Sequence, residues 1–137
     1  MTDKKTGGCL CGAVRYEFTG DPLFAGNCYC TECQKYNGSG HQSAMGTLES
    51  NFKVTGPVSS FSITGGSGNP IVRHFCSKCG SHIGSSAAGG IRIVYAGTLD
   101  DSSDFKPGHN IYISEAQPWD QPSPDVPGFE KAPPAAE

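Results

Sequence analysis

Charge is scarce in this chain, and long apolar runs are missing altogether. Charged residues make up 17% of the 137 positions, with ten lysines and arginines against thirteen aspartates and glutamates. Lys4-Lys5 is the one adjacent basic pair. Affinity for a phosphate backbone rests on clustered cations, so this balance excludes a nucleic-acid partner. No stretch approaches the ~18 apolar residues of a membrane-spanning helix, so no membrane partner is expected. Met1-Thr2-Asp3-Lys4-Lys5 leads into no apolar run, so no secretory signal is read and a cytoplasmic location is expected. Sustained 3.6-residue periodicity is absent as well, which excludes a helical domain.

What is present reads as strand. Val14, Tyr16 and Phe18 alternate with Arg15 and Glu17. Phe52-Lys53-Val54, Phe61-Ser62-Ile63 and Ile111-Tyr112-Ile113 are shorter cases, and Ile91, Ile93 and Tyr95 share a face with Arg92 opposite. Such alternation marks half-buried strands. Turn chemistry separates them at Gly56-Pro57, Gly65-Gly66-Ser67-Gly68-Asn69-Pro70, Gly89-Gly90 and Pro107-Gly108. At most, Thr31 to Tyr36 makes one helical turn, with Thr31 as its cap. The length suits one domain, mainly β, over residues 1–119. Six of the ten prolines fall in the last twenty residues, so residues 120–137 read as a Pro-rich tail without ladders or helices. Trp119 and Phe129 are the residues that would pin it.

Hydrophobic residues make up only 36% of the chain, a thin core that needs reinforcement. Seven cysteines offer it: Cys9, Cys11, Cys28, Cys30, Cys33, Cys76 and Cys79. In a reducing compartment, tightly spaced cysteines bind metal more often than they form disulfides. An odd count also fits poorly with a closed disulfide framework. Gly8-Cys9-Leu10-Cys11-Gly12 is C-x-C between glycines, Cys28 to Cys33 is C-x-C-x-x-C, and Cys76 to Cys79 is C-x-x-C. Zinc demands such short spacings because its sulfur ligands stand ~2.3 Å from the ion.

Counting constrains the partition. A closed structural zinc takes four protein ligands, whereas a catalytic zinc takes three and leaves a position open. The middle cluster supplies three cysteines alone. Cys9, Cys11, Cys76 and Cys79 remain as two pairs that clamp distant segments. Two Zn2+ ions on seven thiolates bring the formal net charge from −3 to about −6. An alternative makes both sites structural, with His41, His74 or His82 as the eighth ligand. His74 and His82 otherwise read as supports of the Cys76–Cys79 turn, and His109 as a loop residue.

The ordered set is specific. Gly7 to Tyr16, Cys28-x-Cys30-x-x-Cys33, Gly38-Ser39, Phe75-Cys76-x-x-Cys79-Gly80, Gly97-x-Leu99-Asp100 and Ile111 to Trp119 together resemble the glutathione-dependent formaldehyde-activating enzyme family, also called the CENP-V/GFA domain. The resemblance spans about residues 7–119. It implies a β-rich, Mss4-like fold with Cys9, Cys11, Cys76 and Cys79 on a structural zinc. It assigns Cys28, Cys30 and Cys33 to a catalytic zinc. The activity it implies is that of a carbon–sulfur lyase, which joins formaldehyde to glutathione as S-hydroxymethylglutathione.

The expected function is therefore a zinc-dependent lyase-type enzyme acting on a small-molecule thiol, such as glutathione, or its adduct with formaldehyde or another small electrophile. A non-catalytic, zinc-stabilised protein-binding module is the alternative. Three thiolates leave the zinc unit net negative, which favours capture of a thiol over polarisation of a carbonyl. Tyr29 stands where many members have histidine, and Gln34 where arginine is frequent. Glu32, Tyr29, Ser39, His41 and Lys35 are the polar residues near the triad. No arginine cluster awaits the carboxylates of glutathione, and Arg15, Arg73 and Arg92 read as solvated strand residues.

Overall fold

The computed structural model describes residues 3–65 and 68–132. Gly66-Ser67 of the predicted turn and Pro133-Pro134 of the tail lie outside the described residues. In chain order the strands are β1 (Lys4–Gly8), β2 (Arg15–Thr19) and β3 (Phe24–Cys28). The helix α1 (Thr31–Asn37) follows, then β4 (Gln42–Leu48), β5 (Phe52–Thr55), β6 (Val58–Thr64) and β7 (Pro70–Cys76). Next come β8 (His82–Ala87), β9 (Ile91–Tyr95), β10 (Asn110–Ile111) and β11 (Gly128–Phe129). The protein is β-rich, as its alternating sequence requires. Its contacts separate two compact units, Met1–Leu23 with Met45–Asp104, and Phe24–Ala44 with Phe105–Glu137.

In the first unit, β1, β2 and β5 form an antiparallel sheet in that order. Tyr16 lies opposite Gly7 and Val54, and Phe18 opposite Lys5 and Phe52. The predicted face of β2 is the buried one. Val14, Tyr16 and Phe18 are all at or below 3% exposure, and Tyr16 stacks on Phe52 with ring centroids 5.1 Å apart. Burial of each such side chain contributes roughly 1.5–3 kcal/mol. The outward residues pair instead: Glu17 meets Lys4 at 3.6 Å, and Arg15 grips Asp100. Asp100 also accepts from the Thr6 hydroxyl at 2.6 Å. Its carboxyl is held at about 2 by Arg15 first and Thr6 second.

The same unit contains the antiparallel series β9-β8-β7-β6. Here the sequence reading holds for Tyr95, which is buried, but not for the rest of β9. Arg92 and Val94 are buried, while Ile91 and Ile93 are only half-buried. The Arg92 guanidinium lies 4.1 Å from the centroid of the Phe52 ring and donates to Glu49 at 2.9 Å. A paired head over an aromatic face lets the aliphatic stem enter the core. Arg73 is likewise buried and donates to the Tyr95 hydroxyl at 2.8 Å. Neither is a solvated strand residue.

In the second unit, β10 pairs parallel with both β3 and β11, and β4 begins beside β3. The ladder reaches only Asn110–Ile111, because Tyr112 turns into the left-handed region at φ 56°, ψ 39°. The predicted strand through Ile113 is thus cut short. Gly128–Phe129, a proline-free step between Pro127 and Pro133, forms a two-residue ladder. Phe129 is held there opposite Ile111, whereas Trp119 is 70% exposed. The helix runs one residue past the predicted turn, and its cap is Cys30, not Thr31. Gly38 ends it in the left-handed conformation that favours glycine.

Gly84 offers a direct check. It sits at φ +132°, where a Cβ would lie 2.2 Å from the Ile93 carbonyl oxygen, beside the register shift of β7 against β8. Gly84→Ala is expected to lose about 1–3 kcal/mol or more in urea unfolding of the metal-loaded protein. Gly97→Ala, with open space around it, is expected to stay within about 0.5 kcal/mol of the parent.

Candidate metal centres

Two tight turns bring the first four cysteines together. Between β1 and β2, Cys9 N donates to Val14 O and Gly12 N to Cys9 O, both at 3.1 Å. Between β7 and β8, Cys76 N donates to Ser81 O at 3.0 Å and Gly80 N to Cys76 O at 2.8 Å. The Sγ atoms of Cys9, Cys11, Cys76 and Cys79 all fall within 4.8 Å of one another. Cys9–Cys11 measures 3.6 Å and Cys11–Cys76 3.9 Å. A disulfide would need about 2.05 Å, and all seven cysteines are free thiols. Sulfurs at the corners of a tetrahedron with ~2.3 Å arms stand about 3.8 Å apart. The observed spacings bracket that edge, so the donor set fits a thiophilic cation. Cys9 and Cys76 also pack with Val14 and Ile83 in one buried cluster.

Backbone amides prepare these sulfurs for negative charge. Val14 N donates to Cys9 Sγ at 3.2 Å and Lys78 N to Cys76 Sγ at 3.3 Å. Cys79 is brought down to about 5 by its side-chain bond with Ser81, then by the Ser81 and Cys11 amides. Cys11 moves the other way. The Ala13 amide favours its thiolate, but desolvation and the neighbouring thiols push it up to about 11. Four acids in one small volume cannot all ionise unless a cation offsets them.

The second cluster lies at the junction of β3 and α1. Cys28 closes the strand, Cys30 caps the helix, and Cys33 sits in its first turn. Their three Sγ atoms also fall within 4.8 Å of one another. Cys30 Sγ accepts the Cys33 amide at 3.3 Å. Hydrogen bonds from Cys28 and Cys33 lower Cys30 to about 2, burial opposing, with help from the Cys33 and Glu32 amides. Cys28 is raised by the same sharing and by burial. Among the described residues, no histidine or carboxylate joins either cluster. His74 spends both ring nitrogens on Ser60 and Ser86, each at 2.9 Å. The eighth-ligand alternative through His41, His74 or His82 therefore finds no geometry here.

The chain around the triad is tied down from a distance. Gln34 Nε2 donates to Tyr29 O at 2.7 Å and Glu115 O at 3.0 Å, while its Oε1 accepts from Gln117 at 3.0 Å. The Tyr29 ring stacks on His41 at 4.8 Å, and His41 Nδ1 meets Asp120 Oδ2 at 2.6 Å. Glu115 Oε1 accepts the Thr31 amide at 2.7 Å. Lys35 and Ser39 are exposed, and Glu32 is half-buried. His109 is a loop residue, its ring tilted against Phe24. Glu115, Gln117 and Asp120 escaped the sequence reading. They lie some eighty residues from their partners, and no local pattern marks them.

Comparison with known proteins agrees with this geometry. A search of the curated proteins finds none that matches. Among solved structures, the chain resembles the crystal structure of a Rhodobacter sphaeroides protein, with 20% identity and a TM-score of 0.56 over 72% of this chain and 91% of that one. That likeness concerns the fold alone. Residues 4–115, which include all seven cysteines, match the profile described as glutathione-dependent formaldehyde-activating enzyme. The chain belongs to the glutathione-dependent formaldehyde-activating enzyme family.

Proposed function

We propose that the protein is a zinc-dependent enzyme of the carbon–sulfur lyase type, acting on a thiol and formaldehyde or on their adduct. The observation that carries this reading is the three-sulfur cluster of Cys28, Cys30 and Cys33, which has no fourth protein ligand among the described residues. Zinc held there would supply a cationic position that keeps a substrate thiol ionised near neutral pH. Cys9, Cys11, Cys76 and Cys79 hold the other ion, and that site is structural.

The reaction is simple in its balance. The thiol sulfur bonds to the carbonyl carbon of formaldehyde, the C=O π pair moves to oxygen, and the thiol proton ends on that oxygen. The product is an S-hydroxymethyl thiol, and the reverse direction breaks the same C–S bond. Within the second unit, the Cys33 and Glu32 amides hold charge on Cys30. Gln34 fixes the peptide between the first two ligands. That unit contains no arginine, so within it no guanidinium grips a substrate carboxylate. Recognition there rests on the thiol and the hydroxymethyl group.

The two clusters should respond differently to loss of one sulfur. Cys76 is fully buried, and the metal-linked stability of four-cysteine sites is on the order of 10 kcal/mol. Cys76→Ser is expected to abolish the cooperative unfolding transition in circular dichroism. Cys30→Ser keeps a good helix cap, since serine accepts the same amide, and is expected to stay folded with less metal. Equal destabilisation by both variants would contradict the division.

Activity gives the second check. Metal-loaded wild type should accelerate the exchange of 13C-formaldehyde with its glutathione adduct in NMR, and Cys30→Ser should lose about 100-fold or more of that rate. A variant as active as wild type would sink the reading.

A further inference from the structure

Tyr112 is the one non-glycine residue with positive φ among the described residues. A left-handed tyrosine is sterically costly, and such positions cluster at functional sites. The turn it makes is over-determined. Before it, Ile111 lies opposite Cys28, and Ile111 O accepts the Tyr29 amide at 3.0 Å. After it, Glu115 accepts the Thr31 amide through Oε1 and the Gln34 amide group through its carbonyl. At the apex, Tyr112 N donates to Lys131 O at 3.1 Å, and Glu115 N donates to Tyr112 O at 3.0 Å.

These anchors bracket the ligand run. One grips the residue between Cys28 and Cys30, the other the residue after Cys30. Tyr112 therefore sits where the chain folds back beside the triad. Its half-buried phenol makes no hydrogen bond among the described residues. Burial first, then the charges of Cys28, Cys30, Glu115 and Glu32, raise its pKa. A tyrosine hydroxyl is protonated at neutral pH in any case and available as a donor. Glycine would hold this backbone without strain, so the turn itself gives no reason for a tyrosine.

Resting on the function proposed above, we propose that the Tyr112 hydroxyl donates a hydrogen bond to the oxygen of the S-hydroxymethyl group bound at Cys28, Cys30 and Cys33. It would distinguish the adduct, which carries that oxygen, from the parent thiol, which does not. As the C–S bond forms, the same donor meets the oxygen that gains negative charge.

The test compares metal-loaded wild type with Tyr112→Phe, which keeps the ring and loses the hydroxyl. Binding of glutathione and of its 13C-labelled hydroxymethyl adduct is followed by NMR, with metal content measured alongside. The variant should keep its metal and bind glutathione within about twofold of wild type. It should bind the adduct about three- to tenfold more weakly, and kcat should fall about ten- to hundredfold. Unchanged adduct affinity and kcat would overturn the assignment. Parallel weakening of thiol and adduct would overturn it too, by reducing Tyr112 to a packing role. Wild type binding neither ligand would overturn the functional reading and this inference with it.

Discussion

Seven thiols stand in two groups, and within each group every sulfur is within 4.8 Å of the others. Two thiolates 4 Å apart repel by about 4 kcal/mol at the effective dielectric of a protein surface. Crowding of this kind is unfavourable for ionised thiols alone and favourable around a divalent cation. The turns of the first unit, the cap of α1 and the amides aimed at sulfur all serve that one constraint. The aromatic core of Tyr16, Phe18 and Phe52 is small, and the buried cysteines continue it through Val14 and Ile83.

The two groups solve the constraint differently. Cys9, Cys11, Cys76 and Cys79 come from two turns far apart in sequence, so binding there closes a long loop. Cys28, Cys30 and Cys33 span six residues and close almost nothing. Their precision comes instead from chain that returns late. Parallel pairing of β10 with β3 sets Ile111 against Cys28. Glu115 then holds the Thr31 amide, Gln117 the side chain of Gln34, and Asp120 the His41 ring that stacks on Tyr29. A four-sulfur cluster held by the fold and a three-sulfur cluster held by later segments are the arrangement on which the proposed division of roles rests.

Much of this was legible in the sequence because metal ligation is local. C-x-C and C-x-x-C spacings carry their geometry with them, and the count of seven divides naturally as four and three. The alternation of Val14, Tyr16 and Phe18 was equally plain, since pleating alone decides which side faces inward. Arg92 misled because its burial depends on Glu49 and Phe52, some forty residues away. Thr31 looked like the cap because hydroxyls usually serve, yet here a cysteine sulfur accepts the amide. Tyr112 read as strand because an αL turn at a tyrosine has no composition signal. The Gly128–Phe129 ladder was hidden by the prolines around it, which constrain their own positions and leave Gly128–Phe129 free to pair.

The central claim is that the chain holds one closed four-sulfur site and one three-sulfur site with a position left for substrate. Elemental analysis combined with X-ray absorption at the metal edge, on anaerobically purified protein, tests it most directly. The account predicts about two zinc ions per chain and a mean of about 3.5 sulfur neighbours, with the balance made up by oxygen or nitrogen. One metal per chain with four sulfur neighbours would contradict it, because the Cys28–Cys30–Cys33 cluster would then hold no ion at all.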